Sequence, residues 1–129
     1  MILLDTHALL WMASDAKRLS RRAHEAIRKA RQETGIAVAT ITLWEIAWLA
    51  QHQRIVVAGS VESFVREIVA RVILRPVTAE IAALAVRLPE QFPKDPADRL
   101  IASTAMVEGM ALVTADMGIR RAKVVETVW

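Results

Sequence analysis

Met1-Ile2-Leu3-Leu4-Asp5-Thr6-His7 opens the chain. Three consecutive apolar residues run straight into a carboxylate. The run is too short to cross a membrane or to serve as the apolar heart of an export signal. It has the length of a strand buried on both faces, which in a parallel sheet is apolar throughout rather than alternating. Such a strand points to an α/β fold. An acid at its end needs partners.

Further strands of the same kind are expected at Ile36–Ile41, weakly at Val72–Leu74, at Ala111–Thr114 and at Val124–Thr127. Helical patterns fill the intervals. Leu9–Met12 is a short one. Ser20 caps a helix running to about Glu33, with Gly35 behind it. Thr42 is read as the cap of a helix from Trp44 to Gln51. Val61, Phe64, Val65, Ile68, Val69 and Val72 follow the helical spacing i, i+3, i+4, i+7, i+8, i+11. Thr78 caps Ala79–Leu88, stopped by Pro89. Asp95 and Pro96 start a helix to about Glu108, with Gly109 behind it. Short buried strands alternating with helices predict a three-layer α/β/α sandwich around a mostly parallel sheet. The 129 residues are read as one domain spanning 1–129.

The chain has no cysteine, which excludes disulfides and thiolate metal sites and suits a reducing cytoplasm. No apolar run is long enough for a membrane span, so a cytoplasmic, membrane-free protein is expected. The net charge of +3 is mild, but the distribution is uneven. Seven basic residues lie between Lys17 and Arg31, and Arg120, Arg121 and Lys123 form a second cluster. The first cluster reads equally as a solvated helix face or as a phosphate-contacting one.

In open parallel sheets ligands bind beyond the carboxyl ends of the strands. Asp5 and Asp116 each follow an apolar strand and so belong at that rim. Each acid has a local structural explanation. Asp5 can cap the helix after it. Glu45 in Thr42-Leu43-Trp44-Glu45 completes a capping box. Asp98, in Asp95-Pro96-Ala97-Asp98-Arg99, is a first-turn acid that the helix dipole tolerates. Asp116 is a turn acid. Taken together they carry more, because all four sit where a strand ends or a helix begins. Two carboxylates about 4 Å apart repel by roughly 4 kcal/mol at an effective dielectric near 20. Such a cluster must bind cations, take up protons or destabilise the fold. Oxygen-only ligands suit a hard ion, Mg²⁺ or Mn²⁺. His7, two residues from Asp5, can assist there or simply pack. No glycine-rich phosphate loop, GxSxG elbow or Walker motif is present.

The spaced set LLDTHALLW, TITLWEIA, DPADRLIASTA and LVTAD resembles the PIN-domain ribonucleases, and within them the VapC toxins of type II toxin–antitoxin systems. The resemblance runs from Ile2 to Trp129 and includes the ending VVETVW. It implies the same α/β/α sandwich, and an acidic site that binds Mg²⁺ or Mn²⁺ and cleaves RNA. It maps the four acids of that site to Asp5, Glu45, Asp98 and Asp116, with Thr6 and Thr114 as supporting hydroxyls. It also implies a VapB-type antitoxin as partner and a toxin homodimer.

The leading expectation is therefore a metal-dependent endoribonuclease in which water attacks phosphorus. Arg99, Arg120 and Arg121 are candidate phosphate contacts, Arg99 equally a salt-bridge partner of the acids. One competing reading is a phosphatase or phosphotransferase with Asp5 as nucleophile. It asks for a second acid two residues on, where His7 stands, and for a nearby lysine. Another is a non-catalytic RNA- or partner-binding module, with Trp44 and Trp48, four apart on one helix, as part of an apolar patch.

Overall fold

The strands β1 (Ile2–Leu4), β2 (Ile36–Ala39), β3 (Ile73–Arg75), β4 (Ala111–Val113) and β5 (Thr127–Val128) form one sheet in the order β3-β2-β1-β4-β5. Every pairing is parallel, with Leu3 opposite Ala37 on one side and Leu112 on the other. This computed structural model describes all residues, Met1–Trp129. The helices are α1 (Thr6–Ser14), α2 (Arg21–Glu33), α3 (Ile41–Gln51), α4 (Val61–Ile68), α5 (Ala79–Arg87), α6 (Pro96–Glu108) and α7 (Met117–Ala122), with a 3-10 turn at Ala16–Arg18. None is long and apolar enough to cross a membrane.

The strands are apolar on both faces because both faces are covered. Leu3, Ala37, Ala39 and Leu112 face a core shared with Phe92, Ile101, Ala105 and Ile119, from α6, α7 and the loop before α6. Their neighbours Leu4, Ile36, Val38 and Val113 face the opposite core, with Leu9, Ile27 and Ile46 from α1, α2 and α3. The period of two along each strand thus sorts its side chains between two cores. Each fully buried leucine contributes about 1.5–3 kcal/mol relative to exposure. The result is the α/β/α sandwich expected from the run Ile2–Leu4.

Caps fix the helix starts. Ser20, Ser60 and Thr78 accept hydrogen bonds from the first turns of α2, α4 and α5. Asp95 accepts from the N–H groups of Ala97 and Asp98, with Pro96 in the first turn of α6. Gly109, at φ +67, ends that helix in the left-handed conformation that favours glycine.

Several boundaries differ from the sequence reading. The capping box at Thr42 does not form. Strand β2 ends at Ala39, two residues early, and α3 begins at Ile41 with Thr40 ahead of it and no side-chain cap. Thr42 is therefore inside the first turn and buried, which frees Glu45 from a capping role. Helix α4 ends at Ile68 with Val69 as its C-cap, so Val72 continues the helical spacing but lies beyond the helix. The last strand is Thr127–Val128, later than expected, because Val125 is drawn into the core beneath α7. Helix α7 itself is too short and basic to show in the hydrophobic pattern.

Candidate active site

The chain runs from β1 outward through β2 to β3, then returns to lay β4 and β5 on the other side of β1. Strand order therefore reverses between β1 and β4, the place where a crevice opens in sheets of this type. A crevice of about 450 Å³ lies there, and Asp5, Glu45, Asp95, Asp98 and Asp116 all line it. Asp5 follows β1 and Asp116 follows β4. Glu45 comes from the second turn of α3, after β2. Asp95 and Asp98 come from the start of α6. The topology thus gathers the four acids singled out above, and a fifth.

Three of the five acids cap helices. Asp5 Oδ1 accepts from Ala8 N–H at 2.7 Å, Asp95 Oδ1 from Ala97 N–H at 2.8 Å and Asp116 Oδ1 from Ile119 N–H at 2.9 Å. Capping and ligation do not compete here. A carboxylate has two oxygens, and each cap engages Oδ1 alone, fixing the rotamer and turning the second oxygen to a set direction. Thr114 ties two of them together. Its hydroxyl donates to Asp5 and accepts from the Asp116 N–H at 3.1 Å. Thr6 does the same for Glu45, donating to Oε1 at 2.5 Å while standing 3.2 Å from the Thr42 hydroxyl. Asp98 is the exception. Its side chain has no hydrogen-bond partner in the chain, although the residue is half-buried.

The electrostatics follow from that arrangement. The molecule's only ion pairs are Arg21–Glu25 and Arg66–Glu62, both on exposed helix faces. None neutralises the crevice. Burial pushes the Asp5 carboxyl up from its ordinary range, opposed by hydrogen bonds from Thr114 and Ala8. Burial likewise raises Glu45, against the Thr6 hydroxyl, with Asp95 adding to the rise. Asp98 is pushed up to about 7, by burial first and then by Asp95, Asp116, Glu45 and Asp5. An acid whose carboxyl is pushed up by burial and by four neighbouring acids marks a site short of positive charge.

These residues fit a hard divalent cation. Its ligands would be oxygens, and every acid here offers one. No three acidic or histidine side chains are drawn together into a finished cage. The oxygens instead come from separate elements around the crevice.

Arg99 belongs elsewhere, contrary to both roles expected for it. Its Nε donates to Pro93 O, one terminal nitrogen to Ala85 O and Leu88 O, and the other to Pro89 O and Phe92 O, at 3.0–3.5 Å. Five N–H groups meet five carbonyls. Arg99 thus closes the end of α5 and ties down the loop that delivers Asp95, leaving nothing for a phosphate or a carboxylate. Arg120 and Arg121 lie in the last turn of α7, behind Asp116, and line no part of the crevice. The cation that does line it is Arg18, from the 3-10 turn, together with His7 and Trp11. The sequence offered one signal for Arg18, its membership of the basic cluster, and nothing to separate it from the other six.

Comparison with known proteins comes to the same architecture. The PIN domain family matches residues 2–125. The chain is 43% identical over 119 residues to Ribonuclease VapC22 of Mycobacterium tuberculosis, covering 92% of this chain and 89% of that protein. Among solved structures it resembles VapBC2 of Rickettsia felis bound to a DNA fragment from its promoter, with a TM-score of 0.74 at 18% identity over 98% of this chain and 97% of that one. A toxin–antitoxin complex from Klebsiella pneumoniae matches with a TM-score of 0.71 at 21% identity over 100% of this chain and 97% of that one. At such identities the two structures speak for the fold.

Proposed function

This chain belongs to the PIN-domain family, on its VapC ribonuclease branch, and from that premise we propose that it is a divalent-metal-dependent endoribonuclease, the toxin of a toxin–antitoxin pair. The observation that carries the proposal is the crevice at the strand-order reversal, which five carboxylates line without forming an ion pair. A bound Mg²⁺ or Mn²⁺ would supply charge neutralisation and acidify a water for in-line attack on phosphorus. Asp5, Glu45, Asp98 and Asp116 are the residues to hold it. Thr6 and Thr114 orient Glu45 and Asp5, and the caps hold Asp5 and Asp116 in one rotamer before any ligand arrives. Asp98 makes no hydrogen bond within the chain, so both of its oxygens are open to a cation. Water attacking phosphorus with the 3′-oxygen as leaving group, which takes up a proton, leaves a 5′-phosphate and a 3′-hydroxyl. Residues 1–129 act as one domain in this reading.

A VapB-type antitoxin is the partner, supported by the neighbours solved as toxin–antitoxin complexes. An apolar groove of Ile41, Trp44, Trp48, Leu49 and Leu100 adjoins the crevice, sharing Glu45 and Asp95 with it. A partner segment lying there would also cover the acids. A toxin homodimer completes the assembly we propose. The phosphotransferase alternative finds no support, because no lysine lines the crevice and His7 stands where a second acid is required.

The test is cleavage of RNA by the purified protein with Mg²⁺ or Mn²⁺, with EDTA, and by Asp98→Asn. Cleavage abolished by EDTA and reduced about 100-fold or more by the substitution is expected. Undiminished cleavage by Asp98→Asn would sink the proposed site.

A further inference from the structure

Arg18 is a cation beside five carboxylates that forms an ion pair with none of them. Its guanidinium instead lies over the Trp11 indole, 4.7 Å from the ring centroid. Nor does its side chain make any hydrogen bond within the chain, so all its N–H donors remain available. The indole beneath it is braced from two sides. His7 packs against it at 5.8 Å and Trp129 at 5.7 Å, both tilted by about 50°. Tilted neighbours brace an aromatic ring, and the guanidinium covers the face they leave. Trp11 is half-buried, Arg18 is exposed, and both line the wall of the acid crevice.

A planar cation on a braced indole is a surface for another flat group. Nucleobases stack on aromatic rings and on arginine planes, and can do so only when they are unpaired. We propose that Trp11 and Arg18 form a base-stacking shelf that takes an unpaired nucleobase of the RNA next to the scissile phosphate. The shelf also explains why Arg18 is kept off the acids. Paired with Asp5 or Asp98, it would neutralise the crevice and compete with the cation; stacked on Trp11, it stays beside the crevice without closing it. This inference rests on the ribonuclease reading for the identity of the ligand.

The experiment uses a short single-stranded RNA and its abasic versions, with the missing base walked one position at a time. Removing a base leaves every phosphate in place, which separates stacking from charge contact. In the wild type, one abasic position beside the cleavage site should lower kcat/KM about tenfold. In Trp11→Ala that penalty should vanish, with intact and abasic RNA cut equally slowly. Trp11→Phe should restore most of it, and thermal melting of both variants checks that they are folded. Binding of the same RNAs in EDTA, read by fluorescence anisotropy, repeats the comparison without cleavage. A Trp11→Ala protein that keeps the full wild-type penalty overturns the shelf, as does a wild type with no base dependence at any position. Base-dependent binding that is lost in Trp11→Ala, in a protein that cuts no RNA, would keep the shelf and overturn the ribonuclease reading instead.

Discussion

Thr6 shows how much one side chain settles at this site. It follows the strand-ending acid, opens α1, and donates across the crevice to Glu45 on another element, 39 residues away. A hydroxyl has one proton to give, so with Thr42 at 3.2 Å the bond to Glu45 is directional. Thr6→Val keeps the shape and removes that proton. Supporting groups of this kind are typically worth about 10–100-fold in activity or metal affinity, and Thr6→Val should lose activity in that range with Thr6→Ser retaining most of it. Steady-state cleavage of one RNA by the three proteins checks this. Arg99 works differently, through the backbone it gathers. Arg99→Lys keeps the charge but cannot reach five carbonyls from one ammonium. Buried carbonyls left unpaired should lower stability by about 2–4 kcal/mol, measured by urea unfolding. Cleavage should fall as well, since the loop it holds leads into Asp95.

At the scale of elements, helix ends do more to shape the site than helix faces. Three of the five acids in the crevice are caps, and each is aimed by the first turn it serves. The far end of α6 should matter less to chemistry. Gly109 takes φ +67 with open space around its Cα, so Gly109→Ala meets backbone strain and no clash. A loss of about 1 kcal/mol, or a fall of about 3–5 °C in Tm, is expected with cleavage unchanged. Thermal melting beside a cleavage assay tests both halves. Local sequence makes such ends legible when the cap is a short polar side chain before a periodic run. Ser20, Thr78 and Asp95 were readable for that reason, and α6 was found to the residue. Thr42 was misread as a cap because a correct capping pattern, Thr-x-x-Glu, occurs within the first turn of a helix that starts earlier, at Ile41. The partners of Arg99 were illegible because they are backbone carbonyls, which every sequence has everywhere. Arg18 was hidden in its cluster because the Trp11 ring that selects it lies seven residues back, across a change of direction in the chain.

For the whole molecule, the crevice links folding to protons and cations. Asp5, Glu45 and Asp98 all hold their protons more tightly in the fold than in the unfolded chain. Their contribution to stability is therefore complete below about pH 4, the ordinary carboxyl range, and is lost as pH rises through the folded values, about 7 for Asp98. Without divalent cations, Tm should be a few degrees higher near pH 5 than near pH 8. Adding Mg²⁺ at pH 8 should recover the difference, and doing so at pH 5 should change little, because protons then occupy the same oxygens. Scanning calorimetry at both pH values, with EDTA and with Mg²⁺, gives the four melting points. A Tm that rises from pH 5 to pH 8 in EDTA would contradict the repulsion on which the site is argued. The placement of β1 between β2 and β4 has a consequence in time as well as in space. Asp5 is made 111 residues before Asp116, and only the pairing of β4 with β1 brings them together. A nascent chain therefore carries an unfinished centre throughout the interval between them. If the finished protein cuts RNA, the whole stretch of message from the Asp5 codon to the Asp116 codon is read before the blade exists.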